Sequence, residues 1–295
     1  MPVRLDYRGK PSFLGFMAQM WRPKGRFDAA GGLPEILATW RGRRGSPREM
    51  ADFLALSGLP AGDDLSVLYA HTASFPMVMA VLSHPSFPLP IWRLLQVRNR
   101  LTQREAIAPD AALDLTVRTG ESRVLAKGIE MDLSVTAETG GRVVFEAVNT
   151  FYARGRFGDA QAEAPRSPAV ASVLAAEWRM PEHGRWRYSR LSGDFNPLHI
   201  NDAYARRQGF ARALAHPQRA IGQCLAHLGA ARHAAMTLET WIKGPVFYGA
   251  KLALRAETQP AGGVFALHVD GDERQAIAGR YRIISKDARR ILPAG

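Results

Sequence analysis

The sequence predicts an α+β protein of two similar halves, each with one apolar helix followed by antiparallel strands. Two apolar runs of helical character, residues 75–82 and the segment after His216, precede stretches in which apolar and polar residues alternate. A glycine pair within each alternating stretch, Gly140-Gly141 or Gly262-Gly263, is typical of a hairpin turn. The two halves share this pattern rather than residue identities, so the predicted repeat is one of architecture.

The first half is predicted to begin with a strap over the core that includes a short helix at residues 33–40, starting near Pro34. A dimer or partner contact is the alternative for this region, and a homodimer is possible. A strand at 66–71 and a buried helix at 75–82, shorter than the helix after His216, are predicted next. The strands expected to follow are 91–100, 113–118, 124–137 and 143–152.

A linker is predicted at residues 155–167, where Gly155, Gly158 and Pro165 lie among small and charged residues. It divides the chain into residues 1–160 and 161–295. The second half is expected to open with a strand at 186–190. After a loop and a helix, it continues with strands at 236–242, 246–248, 252–258, 264–269 and 276–284.

The composition is that of a globular protein, with 46% hydrophobic and 22% charged residues in a chain of 295. The formal net charge of +12 favours an anionic partner, such as nucleic acid, an acidic carrier protein or the phosphates of coenzyme A. Arginine-rich codon usage would explain the same charge without any partner. No helix-turn-helix, zinc or aromatic RNA-binding signature is present, so nucleic acid is not the expected partner.

Cysteine usage and apolar runs indicate a cytoplasmic protein without a membrane span. Cys224 is the only cysteine, which excludes an intrachain disulfide, and its apolar surroundings predict a small core residue. No Cys/His spacing of the zinc-binding kind occurs, so no metal is expected. The apolar run at 13–21 is too short for a signal peptide, and the uncharged run at 65–92 contains four prolines.

The loop that follows residue 190 carries the residues with the clearest chemical potential. Ser192-Gly193-Asp194 and Asn196-Pro197 are turn-forming sequences that can direct Asp194 and His199 at one point. A carboxylate and an imidazole so arranged form a general acid–base pair. Taken singly, each residue is better explained by a structural role, Asp194 as a turn cap and His199 as a packing residue in the core.

The helix expected after this loop is long and mostly buried. Residues 202–207 form a short polar turn that Gly209 ends. Apolar residues then recur at helical spacing, namely Ala213, Leu214, Ala220, Ile221, Leu225 and Leu228.

Residues 188–216 resemble the signature of the MaoC-like (R)-specific enoyl-CoA hydratases, including the eukaryotic hydratase 2 domains. The matching positions are Tyr188, Ser192, Gly193, Asp194, Asn196, Pro197, Leu198, His199, Tyr204, Ala205, Gly209, Phe210, Ala215 and His216. The resemblance implies a double hotdog fold, in which two curved antiparallel sheets each wrap a central helix. The match to the motif lies in the second half alone.

The resemblance also implies a reaction: reversible hydration of a trans-2-enoyl thioester to the (R)-3-hydroxyacyl thioester. Asp194 and His199 would hold and activate the water. The residues implied to shape their loop are Ser192, Gly193, Asn196 and Pro197. No metal or redox cofactor is implied, since coenzyme A enters as part of the substrate, and the implied partner is an acyl-CoA or an acyl carrier protein.

One position departs from the family pattern, because Pro217 stands where the family has the glycine that donates its N–H to the thioester oxygen. Proline has no N–H to donate. Three interpretations stay open for this oxyanion region of His216, Pro217 and Gln218. Gln218 or its backbone N–H replaces the donor, the substrate lies differently, or the protein binds thioesters without hydrating them.

Three basic residues are candidates for contact with coenzyme A phosphates or an acidic carrier: Arg219 at the helix start, and Lys243 and Lys251 beside the Gly244-Pro245 turn. Ordinary surface charge is the alternative. The alternative to a hydratase is a non-catalytic acyl-CoA or carrier-binding protein, which Pro217 favours and the retained Asp194 and His199 oppose. A hotdog thioesterase would not need the loop motif.

Overall fold

The computed structural model describes residues 2–285, except residues 21, 23, 25–26, 29–30, 63 and 170–172. The helices in this part of the chain are Phe13–Met20 (α1), Pro47–Ser57 (α2), Val67–Ser83 (α3), Arg185–Ser192 (α4), Asp202–Arg207 (α5) and Pro217–His227 (α6). The strands are Val3–Tyr7 (β1), Ile36–Arg43 (β2), Leu95–Gln103 (β3), Leu113–Leu125 (β4), Gly128–Thr139 (β5), Arg142–Arg154 (β6), Leu174–Arg179 (β7), Met236–Ile242 (β8), Lys251–Gln259 (β9), Gly262–Val269 (β10) and Ile277–Ile283 (β11).

All of these strands belong to one sheet, in the order β1-β2-β4-β5-β6-β3-β8-β11-β10-β9-β7. The β1–β2 pair is parallel, and the other neighbours are antiparallel. The strands of the two halves meet at β3 and β8, where Arg98 lies opposite Trp241 and Gln103 opposite Met236. The two predicted sheets are therefore joined edge to edge into one.

Alternation of buried and partly exposed residues explains the strands. In β5, Ile129, Met131 and Leu133 are buried in the core, whereas Asp132 and Ser134 lie on the opposite face, as the period of two in a strand requires. The predicted hairpin turn at 140–141 joins β5 to β6. A hairpin also joins β9 to β10, but its turn lies at residues 260–261, and the glycine pair 262–263 begins β10 instead. The core of the two halves is a single hydrophobic cluster.

Helix α3 lies at the centre of the first half and is buried along its whole length except at Met79. The predicted helix at 75–82 falls within it, but the predicted strand at 66–71 is wrong. Ser66 instead caps the helix by accepting the Leu68 N–H, and the helix continues through Pro76. A helix buried on all sides has no polar face, so its pattern does not distinguish it from a strand. At 17 residues it is longer than the 11-residue α6, contrary to prediction.

Other predicted elements also differ in the structure. The predicted strand at 246–248 is only an isolated β-bridge at Phe247. The predicted strand at 124–137 is divided by a turn between β4 and β5. Residues 33–40 contain strand β2 rather than a helix, since Ile36, Ala38 and Trp40 alternate with less buried neighbours. The predicted strand at 91–100 begins only at Leu95, after a 3₁₀ turn. Residues 186–190 lie in helix α4, which is bounded by two glycines in the left-handed region.

The helix after the motif is shorter than predicted, because residues 213–215 are not helical. Leu214 forms a β-bridge with Phe247, and the Ala215 N–H donates to the Val246 carbonyl oxygen. The helix starts at Pro217, a residue well suited to a first helical turn. Cys224 is fully buried in this helix, as predicted, and burial raises the pKa of its thiol.

The described part of residues 155–173, between β6 and β7, contains no helix or strand, in keeping with a linker. Its contacts with the sheet include a hydrogen bond from the Trp241 indole to the Pro165 carbonyl oxygen. The domain limits at residues 160 and 161 stay a prediction. None of the helices in the described residues combines the length and apolar character that crossing a membrane requires.

Candidate active site

The loop between α4 and α5 is built from short-range turns that fix Asp194. Gly193 ends α4 in the left-handed region, with φ of +71°. Asp194 then accepts the Asn196 N–H at its Oδ1, at 3.0 Å, and Asn196 in turn accepts the Leu198 N–H. Asp194 therefore caps a turn, as its alternative interpretation held. Only one carboxylate oxygen is used in this way, and the other is left for a second partner.

The free oxygen of Asp194, Oδ2, lies 3.5 Å from His199 Nε2. His199 Nδ1 lies 3.0 Å from the Leu214 carbonyl oxygen, which can only accept a hydrogen bond. In the neutral ring, the proton is therefore on Nδ1, and Nε2 presents its lone pair beside the carboxylate. The structure brings together the two side chains that the sequence singled out.

His216 supports this pair from the side. Its ring stacks on that of His199 with centroids 4.0 Å apart, and its Nε2 donates to the Asp194 backbone oxygen at 3.2 Å. Complete burial lowers the pKa of His216 well below 6.5, so the ring is neutral. His216 therefore positions Asp194 by contact with its backbone.

Asp194, His199 and His216 are close enough to hold a metal ion, with their possible ligand atoms all within 4.8 Å of one another. The Nε2 of His216, however, carries the proton that it donates to the Asp194 backbone oxygen. The two rings are also nearly parallel, at 26°, so their in-plane lone pairs do not converge. A metal would require rearrangement of both, and a metal-free site stays a prediction.

A small cavity lies beside Asp194 and has room for about one water molecule. The lining residues from the motif half are Tyr188, Ser192, Asp194, His216 and Gln218, and those from α3 are His71, Thr72 and Phe75. Half-buried His199 contacts Asp194 from outside this lining. The cavity is thus lined by both halves. His71 was missed in part because its segment was predicted as a strand, and no local pattern shows that the helix predicted from Phe75 packs against the motif half.

Two contacts hold the motif loop against α3. The Tyr188 hydroxyl lies 3.3 Å from the Thr72 hydroxyl, and burial raises the pKa of Tyr188 to about 12, so the phenol stays protonated. At Gly193, a Cβ atom would lie only 3.0 Å from the Pro76 ring. The glycine is therefore needed for close approach as well as for its backbone conformation.

The start of α6 shows the consequence of Pro217. The Arg219 N–H donates to the His216 carbonyl oxygen at 3.0 Å. Both N–H groups of the Gln218 side-chain amide have acceptors, since its Nε2 lies 3.1 Å from His71 Nε2 and 3.0 Å from Gln96 Oε1. This excludes the side-chain amide as a free donor. Among the described residues, the backbone N–H of Gln218 has no acceptor, as is usual in a first helical turn.

Arg219 does not lie where a substrate-binding residue was predicted, because its side chain is completely buried. Its guanidinium donates to the carbonyl oxygens of Leu56 and His183 and to the Tyr248 hydroxyl, and it lies over the Tyr188 ring. Arg219 is thus a structural residue that joins α2 and the loop before α4 to α6. The prediction for Arg219 failed because the sequence pattern did not reveal that this residue lies on a buried, apolar face of the helix.

Lys243 and Lys251 lie at ends of β8 and β9, as expected from the turn between them. Lys243 is bonded to Ser167 and Gln275, and Lys251 is exposed. Their role as phosphate contacts stays a prediction.

Comparison with known proteins supports the resemblance. No family model matches the chain. It is 28% identical over 187 residues to 3-hydroxyacyl-thioester dehydratase X of Mycobacterium tuberculosis, a match that covers 62% of this chain and 66% of that protein, just under two thirds. The crystal structure of that species' HtdX has a TM-score of 0.72 and 24% identity, over 83% of this chain and 99% of the other.

Two further solved structures have the same fold. A MaoC-like dehydratase from Phytophthora capsici has a TM-score of 0.69 and 18% identity, covering 87% of this chain and 97% of its own. The Mycobacterium tuberculosis protein Rv0216, described as a double hotdog, has a TM-score of 0.55 and 16% identity, over 91% and 97%. The chain is therefore a double hotdog protein. Within that class, the resemblance to MaoC-like dehydratases that the motif predicted is confirmed.

Proposed function

We propose that the chain is a hydro-lyase that interconverts a trans-2-enoyl thioester and the 3-hydroxyacyl thioester. The observation that carries this proposal is the approach of Asp194 Oδ2 to His199 Nε2, at 3.5 Å, within a loop that matches the hydratase motif. The name of the curated relative, a 3-hydroxyacyl-thioester dehydratase, supports the same reaction. The R configuration of the product rests on the resemblance alone.

The proposed chemistry uses the two acceptor atoms together. Asp194 Oδ2 and the lone pair of His199 Nε2 can each accept one hydrogen of the same water molecule. In hydration, the water oxygen bonds to C3 of the substrate, its proton passes to the pair, and a proton is delivered to C2. Dehydration reverses each step, so protons balance without a metal or a redox cofactor.

Negative charge develops on the thioester oxygen when the bond at C3 forms, and a donor there lowers the barrier. We assign this role to the backbone N–H of Gln218, the first that α6 can offer after Pro217. The position at the helix N-terminus favours an anionic oxygen. The acyl group would be carried by coenzyme A or an acyl carrier protein, and the basic net charge suits either.

The test is hydration of trans-2-enoyl-CoA substrates of increasing chain length, followed by loss of the enoyl absorbance. We expect turnover by the wild type and a loss of about 10²-fold or more in Asp194→Asn and in His199→Ala. Matched controls are Asp272→Asn, in the turn between β10 and β11, and His268→Ala, near the end of β10. Both should keep wild-type rates. Full activity in either site variant would exclude that residue from the chemistry.

A second candidate function is thioester binding without catalysis, which the missing N–H of Pro217 favours. Wild-type protein that binds enoyl-CoA in calorimetry but converts no chain length would establish it over hydration.

A further inference from the structure

His71 belongs to the half that lacks the motif, yet it lines the cavity beside Asp194. Its Nε2 lies 3.1 Å from the Gln218 amide nitrogen, which carries only N–H groups. His71 Nε2 must therefore accept, and the neutral ring carries its proton on Nδ1. Burial, which lowers the pKa of His71 to about 4, keeps the ring in this form.

Gln218 is held from a second direction by β3. Its amide also donates to Gln96 Oε1, at 3.0 Å, and Gln96 donates to Asn99 Oδ1, at 2.7 Å. Both N–H groups of the Gln218 amide are thus fixed by residues of the first half. These contacts join the first turn of α6 to α3 and β3.

The choice of histidine at position 71 has a cost for folding. Among the described residues, His71 Nδ1 is buried without a hydrogen-bond partner. A buried donor without a partner is unfavourable, whereas an apolar residue of similar size would fill the space without that penalty. The benefit that offsets it is the acceptor that Nε2 offers to Gln218.

We propose that His71 is a positioning residue, which holds Gln218 so that its backbone N–H faces the cavity as the donor to the thioester oxygen, in place of the one absent from Pro217. This inference rests on the proposed hydration. It gives the half without the motif a part in the reaction, through the only contact that His71 makes with the start of α6 among the described hydrogen bonds.

The first test compares His71→Leu, which removes the acceptor, with His71→Gln, which keeps an acceptor in a side chain of similar size. A donor that acts on developing charge affects kcat more than KM. We expect His71→Leu to lower kcat by about 10- to 100-fold, at most the loss seen when an oxyanion donor is deleted, with KM within about twofold. His71→Gln should keep most of the rate. Equal losses in both variants, or a change in KM alone, would overturn the proposal.

The control for a purely structural effect is Gln103→Leu. Gln103 is a buried glutamine that also links the halves, donating to the Leu65 and Ala234 carbonyl oxygens away from the cavity. It should lower the melting temperature while leaving kcat unchanged. A matching fall in kcat would show that loss of any buried link explains the His71 result.

A double-mutant cycle with Pro217→Gly makes the test specific. Glycine restores an N–H at position 217, so the reaction should depend less on Gln218 and hence on His71. We expect the His71→Leu penalty to shrink at least threefold in the Pro217→Gly background, where independent effects would leave it unchanged. An unchanged penalty contradicts the proposal.

A readout without turnover separates this inference from the hydration proposal. In protein labelled with ¹⁵N-glutamine, binding of saturated butyryl-CoA should shift the Gln218 backbone amide resonance in the wild type and much less in His71→Leu. If the wild type converts no enoyl-CoA, hydration fails, but a His71-dependent shift still supports the positioning role. An equal shift in both proteins, or none with the thioester bound, rejects it.

Discussion

At the scale of single residues, the site depends on side chains that serve a turn and the chemistry together. Asp194 caps the Asn196 N–H with one oxygen and faces His199 with the other. Gly193 ends a helix and also allows the loop to approach Pro76. A substitution here therefore affects the fold and the reaction together.

Gly193→Ala should lower the free energy of unfolding by about 2–4 kcal/mol, from a left-handed backbone and from contact of the new Cβ with Pro76. Gly209→Ala is the matched control, since Gly209 has φ of +87° but an added Cβ there would meet no atom within 4 Å. Its loss should be only about 1–2 kcal/mol. Chemical denaturation of both variants measures the difference, and equal losses would show that the Pro76 contact is unimportant.

Stability should fall as the pH falls from about 6.5 towards 4. The buried His71 has its pKa lowered to about 4, so the unfolded chain binds this proton first. The contribution of neutral His71 to the free energy of unfolding is complete above pH 6.5. About 3 kcal/mol of it is lost as the pH falls from 6.5 to 4. Neutral His216, which lines the same cavity with Asp194 and Tyr188, acts in the same direction.

The measurement is denaturant unfolding at pH 7, 6 and 5, above the range where most carboxylates titrate. His71→Gln should show a shallower fall over this range than the wild type. Identical pH dependence in the two proteins would mean that His71 is not buried as a neutral ring.

At the scale of secondary-structure elements, the site depends on how closely α6 approaches α2. Gly222 of α6 lies against Ser57, where an added Cβ would be 2.6 Å from the Ser57 carbonyl oxygen. Arg219, one turn earlier, donates to the Leu56 carbonyl oxygen. These contacts fix the helix whose first turn faces the cavity.

Gly222→Ala should therefore destabilise the protein by about 1–2 kcal/mol, although alanine is intrinsically the better helix former by about 1 kcal/mol. Gly15→Ala in α1 is the control, because the nearest atom to its added Cβ is 3.9 Å away. It should not be destabilising. Thermal unfolding checks both, and a stabilised Gly222→Ala would contradict the close approach of the helices.

The sequence correctly predicted elements and contacts that depend on neighbouring residues. Prediction failed where residues far apart in the sequence determine the structure. Asp194 and His199 share one loop, so turn-forming residues between them sufficed to predict their approach. His71 reaches the site only through the packing of α3 on α6, which no local pattern records. The same helix was misread at its start because burial on every side removes the amphipathic signal.

At the scale of the whole molecule, one sheet and one hydrophobic cluster span both halves. We expect a single unfolding transition in calorimetry, with equal calorimetric and van't Hoff enthalpies, because neither half has a separate core. Two resolved transitions would show that residues 1–160 and 161–295 fold as independent domains. The wild type with and without an acyl-CoA provides the comparison, since a ligand at the shared cavity should raise the one transition.

The junction between the halves, where β3 pairs with β8, also limits which chimeras of this protein can work. Exchanging its first half for that of another double hotdog protein would preserve the sheet if the β3 edge still paired with β8. The exchange would nonetheless separate Gly193 from Pro76 and Gln218 from His71, two fitted pairs that each have one member on either side. A working chimera must therefore transplant residues 71, 76 and 96 together with the motif that they serve.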